Sequence, residues 1–424
     1  MLRVALTTLG CKVNQADADA LMARLADVAI QVPFDQVAEV YIVNSCTVTA
    51  TADRQSRQMI HRARRLNPSA RVYLTGCLAA VKGEGLVAAE LDGAFTLAQQ
   101  PLLTAQIREQ SAGHAAGRAD SPSPAGKRRS RPLLKIHDGC DNACSYCIVP
   151  RARGPGRSVL SPSAVRQGLE RLAGQGFREV VLTGIHLGQY GRDLDPPVPL
   201  AALVRRLLDP PAALRIRLSS VEPREIDEDL ISLLHGHPRS LCPHLHIPIQ
   251  SGDDAILRAM NRPYRTDEVR ALLRRIGGAI PDVALGTDLI AGFPGETEQQ
   301  FERSLQLVRE ALVTHLHVFP YSPRPGTAAA TMPRLADREV RLRASALRQA
   351  GQDRLRAFTM SQRGKVRPVL VERVSSDGLL AGITDNYIRV LVPGSADLVG
   401  RLLAVELQEL RPGGATVMLG RAVD

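Results

Sequence analysis

Aromatic residues are scarce in this sequence of 424 residues: they make up 3% of it, and tryptophan is absent. The hydrophobic cores must therefore be built from Leu, Val, Ile and Ala, and apolar residues amount to 44% of the chain. No run approaches the roughly 20 uncharged apolar residues that a membrane span needs. The N-terminus, MLRVALTTLGCKVNQ, predicts a short strand and a turn, not a signal peptide. We therefore expect a cytoplasmic protein without a membrane partner.

Cysteines are also few, and their number is odd. An odd count in a chain without an export signal argues against a disulfide framework and leaves reduced thiols available for metal. The seven positions are Cys11, Cys46, Cys77, Cys140, Cys144, Cys147 and Cys242.

Basic residues outnumber acidic ones, giving a formal net charge of +11. Such a charge is compatible either with a solvated surface or with a polyanionic partner. The partner is favoured where the charge is clustered, as in a helical segment, a linker and the stretch after the cysteine cluster. In the helical segment Arg54, Arg57, Arg62 and Arg65 fall on approximately one face, with no acidic residue between them. We predict that these four arginines hold the backbone of a polyanion such as RNA.

The first 109 residues alternate short strand-like runs with helical stretches, which predicts a small parallel α/β sheet. Strands are expected at RVALTTL, EVYIVN and RVYLTG, with a helix near Asp17–Leu25. Residues 110–132, rich in Ser, Pro, Gly and Ala, predict a flexible linker that includes Lys127 and Arg128.

From residue 133 to about 330, six strand-like runs alternate with helical patterns. Six βα units predict a partial TIM-like barrel, since the full eightfold barrel takes about 250 residues. The strands are expected at LLKIHD, EVVLTGI, RIRLSSV, HLHIPIQ, ALGTDLIA and HLHVFPY. A charged helix near 334–357 precedes alternating runs that predict a small antiparallel β-barrel. The expected domains are 1–125, 126–357 and 358–424.

Cys140, Cys144 and Cys147 form a C-x3-C-x2-C arrangement just after the first barrel strand. Three thiolates can hold three irons of a 4Fe–4S cluster and leave the fourth iron open to a small molecule. The loop also lies at the end of the barrel where such folds place their chemistry. The alternative, a structural zinc site, fits poorly because no fourth ligand follows at finger spacing.

Cys11, Cys46 and Cys77 lie far apart in the sequence but share one context, since each follows a predicted strand. Because parallel strands end at the same edge of a sheet, these thiols should converge there. The alternative is that they are small buried apolar residues, a common fate of cysteine. We predict a second three-thiolate cluster with an open iron, and we assign Cys242 to the core.

The C-x3-C-x-aromatic-C motif after the first strand of a partial barrel resembles the radical S-adenosylmethionine (SAM) superfamily. The resemblance implies that SAM chelates the open iron and yields a 5′-deoxyadenosyl radical. It also implies SAM contacts near the ends of the second, third and fifth barrel strands, in TGIHLGQYG, SSVEP and GTDLIAGFPGET. The residues expected to contact SAM are Tyr146, Thr183, Gly184, Glu222, Gln250 and Gly292.

The whole chain resembles the methylthiotransferases, which join an N-terminal three-cysteine domain, a radical SAM core and a C-terminal TRAM barrel. HIPIQSG and FPYSPRPGTAA are typical of that family, and TLGCKVNQ and NSCTVTATADRQSRQ resemble its branch for threonylcarbamoyladenosine in tRNA. The resemblance implies two 4Fe–4S clusters, SAM, and the anticodon loop of tRNA as substrate. We also expect a monomer served by an electron donor such as flavodoxin or ferredoxin.

The reaction implied by this resemblance needs no His or Asp as catalytic base, because a radical acts on the strong C2–H bond of adenine. Other branches of the family act on isopentenyladenosine in tRNA or on a ribosomal-protein aspartate. An alternative of another class is a nucleic-acid-binding protein whose clusters are only structural. The C-terminal barrel carries eight basic against seven acidic residues after position 360 and has only Tyr387 for stacking on bases. We therefore expect the N-terminal basic helix to contribute much of the RNA binding.

Overall fold

The computed structural model describes residues 1–82, 91–112, 129–211, 213–414 and 416–423. Most of the predicted linker, with Lys127, Arg128 and the predicted boundary at 125/126, lies outside the described residues. The chain divides into two compact units. The first contains Met1–Arg128, Asp138–Gly156 and Ser322–Ala330, and the second contains Arg129–His137, Arg157–Tyr321 and Thr331–Asp424.

The first unit contains a five-stranded parallel sheet with the order β2-β1-β3-β4-β5. Its central strands are the predicted ones, whereas the outer strands β2 and β5 were not predicted. These two have only four and three residues, too few for a clear alternation. The strands are β1 Leu2–Thr8, β2 Ala29–Val32, β3 Val40–Ser45, β4 Arg71–Gly76 and β5 Gly93–Phe95.

Three of the helices described in this unit lie within the first 112 residues, and a fourth lies in the segment Asp138–Gly156, which belongs to the same unit. The predicted helix near Asp17 begins earlier, at Lys12, directly after Cys11. The basic helix is capped by Thr49, whose side chain accepts a hydrogen bond from Ala52 N, and it buries Ile60 and Ala63. The helices are α1 Lys12–Arg24, α2 Ala50–Leu66, α3 Gln100–Ala112 and α4 Val149–Arg153.

The six predicted barrel strands are all present, and every pair among them is parallel. Together with a short additional strand, β7, they form a sheet β7-β6-β8-β9 and a sheet β10-β11-β12. An isolated bridge between Ser220 and His246 connects the segment after β9 to β10. The strands are β6 Leu133–Asp138, β7 Arg157–Ser158, β8 Glu179–Gly184, β9 Arg215–Leu218, β10 His244–His246, β11 Ala284–Ala291 and β12 His315–Pro320.

Helices of the second unit pack on the outer face of these strands and enclose one large hydrophobic core of Leu, Ile and Val. The predicted charged helix is α11, which continues four residues beyond the expected end. The helices are α5 Pro162–Gly174, α6 Leu200–Leu208, α7 Glu228–Gly236, α8 Asp254–Ala259, α9 Thr266–Ala279, α10 Glu298–Glu310 and α11 Asp337–Ser361.

The C-terminal residues form a closed five-stranded barrel with the order β13-β14-β15-β17-β16. Its strand pairs are antiparallel except β15 with β17, which is parallel. The predicted strands are confirmed as β13 Val366–Val374, β14 Leu380–Thr384, β15 Arg389–Val392, β16 Leu402–Leu410 and β17 Met418–Ala422.

A buried ionic network joins this small barrel to the larger one within the second unit. Glu179 is fully buried and accepts a hydrogen bond of 2.8 Å from Arg217 Nε. Arg217 in turn donates to the main-chain oxygens of Asp385 and Thr384, at 2.8 and 3.1 Å. These charges are tolerated because each is paired and hydrogen-bonded.

Tyr387 does not serve as the exposed stacking surface that the sequence suggested. Its ring stacks on His244, with a centroid distance of 4.4 Å, and lies 5.1 Å from the guanidinium of Arg217. Tyr387 therefore closes the amino-terminal end of the larger barrel.

Among the described residues, no helix is long and apolar enough to cross a membrane.

Candidate metal and cofactor sites

The three N-terminal cysteines all lie at the carboxyl edge of the parallel sheet. Cys11 is exposed and immediately precedes α1, and Cys46 directly follows β3. Cys77 directly follows β4 and begins a further helical stretch. Both Cys46 and Cys77 are buried. The structure therefore brings together the three strand ends that the sequence singled out.

Two neighbouring residues fix the approach of these three loops. Gly10 has a φ of +94°, and a Cβ placed there would lie 2.8 Å from Cys46 Sγ, so only glycine fits. Asn14 Nδ2 donates to Leu9 O and Ser45 O, both at 2.8 Å, and Asn14 Oδ1 lies 3.7 Å from Cys77 Sγ. Asn14 thus ties the first cysteine loop to the second and contacts the third.

The electrostatics of this cysteine set fit a metal. Burial, opposed by the guanidinium of Arg153 and assisted by the nearby Cys11 and Cys46, raises the pKa of Cys77 to about 12. Burial likewise raises the pKa of Cys46, and Cys11 adds to that shift. Three close thiols disfavour one another as free thiolates, whereas a bound metal takes all three in that form. The donor set suits the iron of an iron–sulfur cluster.

The second cysteine set lies on the loop between β6 and α4. Cys140, Cys144 and Cys147 are half-buried, and Cys147 N donates to Cys144 O at 3.1 Å. Tyr146, between the last two cysteines, is half-buried as well. Three thiols on eight residues of one loop fit a cluster with one open iron.

The ends of this loop are held by close backbone contacts. Gly139 has a φ of +73°, and a Cβ there would lie 1.9 Å from Pro155 O. Cys140 N donates to Gly154 O at 3.2 Å, and Ala329 N donates to Ser145 O at 2.8 Å. The thiols are therefore held on a fixed loop.

Arg153 connects the two cysteine-bearing regions of the first unit. Its side chain is completely buried, and its guanidinium lies 2.9 Å from Asp17 and 2.9 Å from Asp138. It also donates to Asn14 Oδ1, the residue that orders the N-terminal cysteine loops. Arg153 belongs to the basic stretch after the cysteine cluster, for which the sequence favoured a polyanionic partner. Its burial corrects that interpretation, because a buried and paired cation is not available to phosphate.

A second buried arginine holds the segment 322–330 against the start of α2. Arg324 Nη2 lies 2.7 Å from Asp53 Oδ2 and 2.8 Å from Thr47 Oγ1. Lys82 also binds Asp53, at 3.2 Å. Because Thr47 follows Cys46 directly, this cluster orders the second cysteine loop.

In the second unit, the expected SAM contacts lie at or near the carboxyl ends of strands. Thr183 and Gly184 end β8, and a Cβ at Gly184 would lie 2.9 Å from His137 Cβ. Gln250 has a φ of +75°, with its N–H donating to Asp288 O and its carbonyl accepting from Ile290 N. Gly292 donates to Glu296 and packs on Val340, which already explains its lack of a side chain.

Glu222 follows β9 and is paired with a residue that the sequence did not single out. Burial raises the pKa of Glu222, opposed by the guanidinium of Arg262 that binds it. Arg262 is itself buried, and its Nε donates to Tyr264 Oη at 2.9 Å. No local pattern marks Arg262, because its partner lies 40 residues away.

The four arginines predicted to bind RNA are all exposed on α2, opposite the buried Ile60 and Ala63. Arg64, on the same helix, is instead half-buried and pairs with Asp92 at 2.7 Å. The exposed set is Arg54, Arg57, Arg62 and Arg65.

Comparison with known proteins places this geometry in a family. The model of the Radical SAM superfamily matches residues 134–308, that of the TRAM domain matches 360–416, and that of Uncharacterized protein family UPF0004 matches 3–96. The threonylcarbamoyladenosine tRNA methylthiotransferase MtaB of Bacillus subtilis is 35% identical over 96% of this chain and 94% of its own. The chain belongs to the radical SAM methylthiotransferases.

Other relatives define the range of this family. The tRNA-2-methylthio-N(6)-dimethylallyladenosine synthase of Syntrophotalea carbinolica is 32% identical over 95% of this chain and 96% of its own. Among solved structures, the radical SAM methyltransferase TsrM of Kitasatospora setae shares the fold, with a TM-score of 0.54 and 16% identity over 77% of each chain. Radical SAM membership implies one 4Fe–4S cluster and SAM as cofactors of this methylthiotransferase.

Replacing Arg153 by Met should destabilise the first unit by about 3–5 kcal/mol, because Asp17 and Asp138 would lose their buried partner. Replacing Arg108 by Ala provides the control, since it breaks an ion pair with Asp27 that is exposed to solvent and therefore contributes little to stability. Hydrogen exchange of β1, β3 and α1 measures the effect. Equal protection in the two variants would contradict the role assigned to Arg153.

Proposed function

We propose that this enzyme converts N6-threonylcarbamoyladenosine, next to the anticodon of tRNA, to its 2-methylthio derivative. The observation that carries the proposal is the pair of three-thiol sets, each short of the four ligands that a closed cluster takes. When bound, one cluster with SAM supplies a 5′-deoxyadenosyl radical, and a second cluster supplies the sulfur that becomes the methylthio group. The near full-length similarity to threonylcarbamoyladenosine tRNA methylthiotransferases supports the choice of substrate.

The residues of the chain hold and orient the reacting groups. Cys140, Cys144 and Cys147 bind the first cluster in this proposal, and Cys11, Cys46 and Cys77 bind the second. Arg153 and Asn14 position the loops that carry them. Thr183, Gly184, Glu222, Gln250 and Gly292 remain the predicted SAM contacts of the second unit, and Tyr146 remains that of the cysteine loop. The enzyme works in the cytoplasm as a monomer and receives electrons from a donor such as flavodoxin or ferredoxin.

A second candidate is the reaction of the isopentenyladenosine branch, whose substituent on N6 is the dimethylallyl group. The relative from Syntrophotalea carbinolica, at 32% identity over nearly the whole chain, favours it. Both reactions would use the same cysteines, so the cluster sites do not discriminate between them. The substituent on N6 of the adenosine is what differs.

Nucleoside mass spectrometry of tRNA from cells with and without the gene tests the proposed product. The 2-methylthio derivative of threonylcarbamoyladenosine should disappear in the deletion strain and return with the wild-type gene but not with a Cys11→Ala gene. Its unmodified precursor should accumulate. Loss of the dimethylallyl analogue, or of a methylthio-aspartate, would identify another branch of the family instead.

The two cysteine sets should be separable by iron content. Replacing Cys140, Cys144 and Cys147 together by Ala should remove about half of the iron bound after anaerobic reconstitution. Cys77→Ala should leave reductive SAM cleavage largely intact while abolishing methylthio transfer, because the radical forms at the other cluster. Cys242→Ala is the control, since that thiol lies in the core beside Arg217 and should change neither quantity. A triple variant that loses all iron, or none, would disprove the division into two clusters.

Binding of tRNA should depend steeply on salt, because each phosphate contact releases counterions. Replacing both Arg57 and Arg62 by Glu should weaken binding at least tenfold at low salt and flatten the salt dependence. Iron content should not change, because both side chains are exposed on α2. Replacing Arg205 and Arg275, exposed on helices of the second unit, by Glu gives a control of equal charge. Equal weakening in both double variants would show that net charge, and not α2, determines binding.

A further inference from the structure

The inner face of the second half of the barrel carries a polar cluster that the proposed reaction has not used. Leu316 and Val318 of β12 pack against the hydrophobic core, so the alternate residues His315 and His317 point to the opposite, inner face. The same alternation places Asp288 of β11 on that face, directly beside His317 in the strand register. His246 of β10 completes the cluster.

The inner face has two layers of different character. In the lower layer, His315 Nε2 lies 3.2 Å from Tyr387 O, and His244 stacks on the Tyr387 ring. Burial lowers the pKa of His315 to about 4, so this imidazole is neutral at physiological pH. In the layer above, the side chain of His317 is 62% exposed. Of the histidines on this face, His317 is therefore the most exposed to a bound molecule.

His317 is oriented by a chain of hydrogen-bonding groups. Its Nδ1 lies 3.1 Å from Asp288 Oδ1, which also lies 3.0 Å from His246 Nε2. His246 Nδ1 lies 2.8 Å from Ser220 Oγ. Burial alone would raise the pKa of Asp288, but the two histidines hold it well below its usual range. The ionised carboxylate keeps a proton on His317 Nδ1, which leaves Nε2 for a ligand.

The surroundings of His317 are positively charged. It lines a cleft of about 910 Å³ whose wall also contains five arginines and one glutamate. Arg131 and Arg411 have acidic partners, but Arg348, Arg373 and Arg389 make no ion pair within the described part of the chain. Such a cleft attracts a group bearing a negative charge. The lining charges are Arg131, Arg348, Glu372, Arg373, Arg389 and Arg411.

We propose that His317, held by Asp288, hydrogen-bonds the threonylcarbamoyl group on N6 of the target adenosine and so selects the substrate. The inference rests on the proposed function. A threonylcarbamoyl group carries a carboxylate, a hydroxyl and amide groups, all of which pair with an imidazole. A dimethylallyl group is a hydrocarbon and offers no partner to Nε2, so the polar cluster favours the first substrate over the second.

His246, Asp288 and His317 each offer one ligand atom, and these three atoms lie within 4.8 Å of one another, a spacing that would also suit a divalent cation. The hydrogen bond of 3.1 Å between His317 and Asp288 and the ion-pair contact of 3.0 Å between His246 and Asp288 can hold the three side chains together without a cation. Asp288 acts on the substrate only through His317 and is a positioning residue.

Steady-state kinetics of the reconstituted holoenzyme test the proposal, with tRNA that bears the threonylcarbamoyl group and tRNA that bears the dimethylallyl group. His317→Ala should raise KM for the first tRNA about tenfold or more, as expected for the loss of a hydrogen bond to a charged group. Its kcat, iron content and SAM cleavage without tRNA should stay close to those of the wild type. His317→Gln should recover part of the affinity, and Asp288→Asn should raise KM in the same direction. His235→Ala, at an exposed histidine of α7, should change nothing.

The outcomes separate the two proposals. A wild-type enzyme that modifies the threonylcarbamoyl tRNA, together with an unchanged KM in His317→Ala, would overturn the role of His317 and leave the proposed function standing. A wild-type enzyme that modifies only the dimethylallyl tRNA would overturn both. One equivalent of a divalent metal other than iron, present in the wild type and missing in His317→Ala, would overturn the direct contact and assign the cluster to a cation.

Discussion

The first unit depends on one buried guanidinium. Arg153 is surrounded by Asp17 from α1, Asp138 from the end of β6 and Asn14, and its side chain has no exposed surface. A buried cation of this kind is stable only when its partners keep their places, and removing one of them leaves an uncompensated charge. The loop after β6 and the loop before α1 are thereby constrained together, and each of these loops carries cysteine. The contacts of Arg153 therefore hold in place two of the loops that carry the thiols.

Most of the architecture could be predicted because strands and helices depend on local patterns. The central strands of the first sheet and all six barrel strands lie within longer segments that contain Val, Ile or Leu, such as HLHIPIQ around β10, and the structure confirms them. β2 and β5 escaped prediction because three or four residues carry too little pattern, and only pairing to a neighbouring strand makes them strands. The parallel β15–β17 pair also depends on closure of the barrel, which no local segment records.

The positions of the cysteines at the ends of strands could be predicted, because each one closely follows a strand-like segment in the sequence. Arg153 could not be found in this way, since its partner Asp17 lies 136 residues earlier and a buried arginine looks like a surface one in the sequence. The same holds for Arg262 with Glu222, and for Asp288 with His317. For Tyr387 the error is the reverse: the sequence suggested a ring that could stack on bases, whereas the ring stacks on His244. Ionic and aromatic partners are often far apart in the sequence, so a local sequence pattern does not identify them.

Arg217 of the larger barrel contacts Tyr387 and the carbonyls of Thr384 and Asp385 in the small barrel. These contacts affect how the two barrels can evolve. An appended module joined by a flexible linker can be gained, lost or exchanged without damage to its neighbour. Here the small barrel supplies acceptors for a cation in the middle of the larger one, so the two halves of this interface share a single set of charges. A foreign barrel of the same fold would leave Arg217 short of acceptors unless it reproduced the same turn. Inheritance of the two barrels is thus coupled, and changes in one restrict the changes that the other can accept.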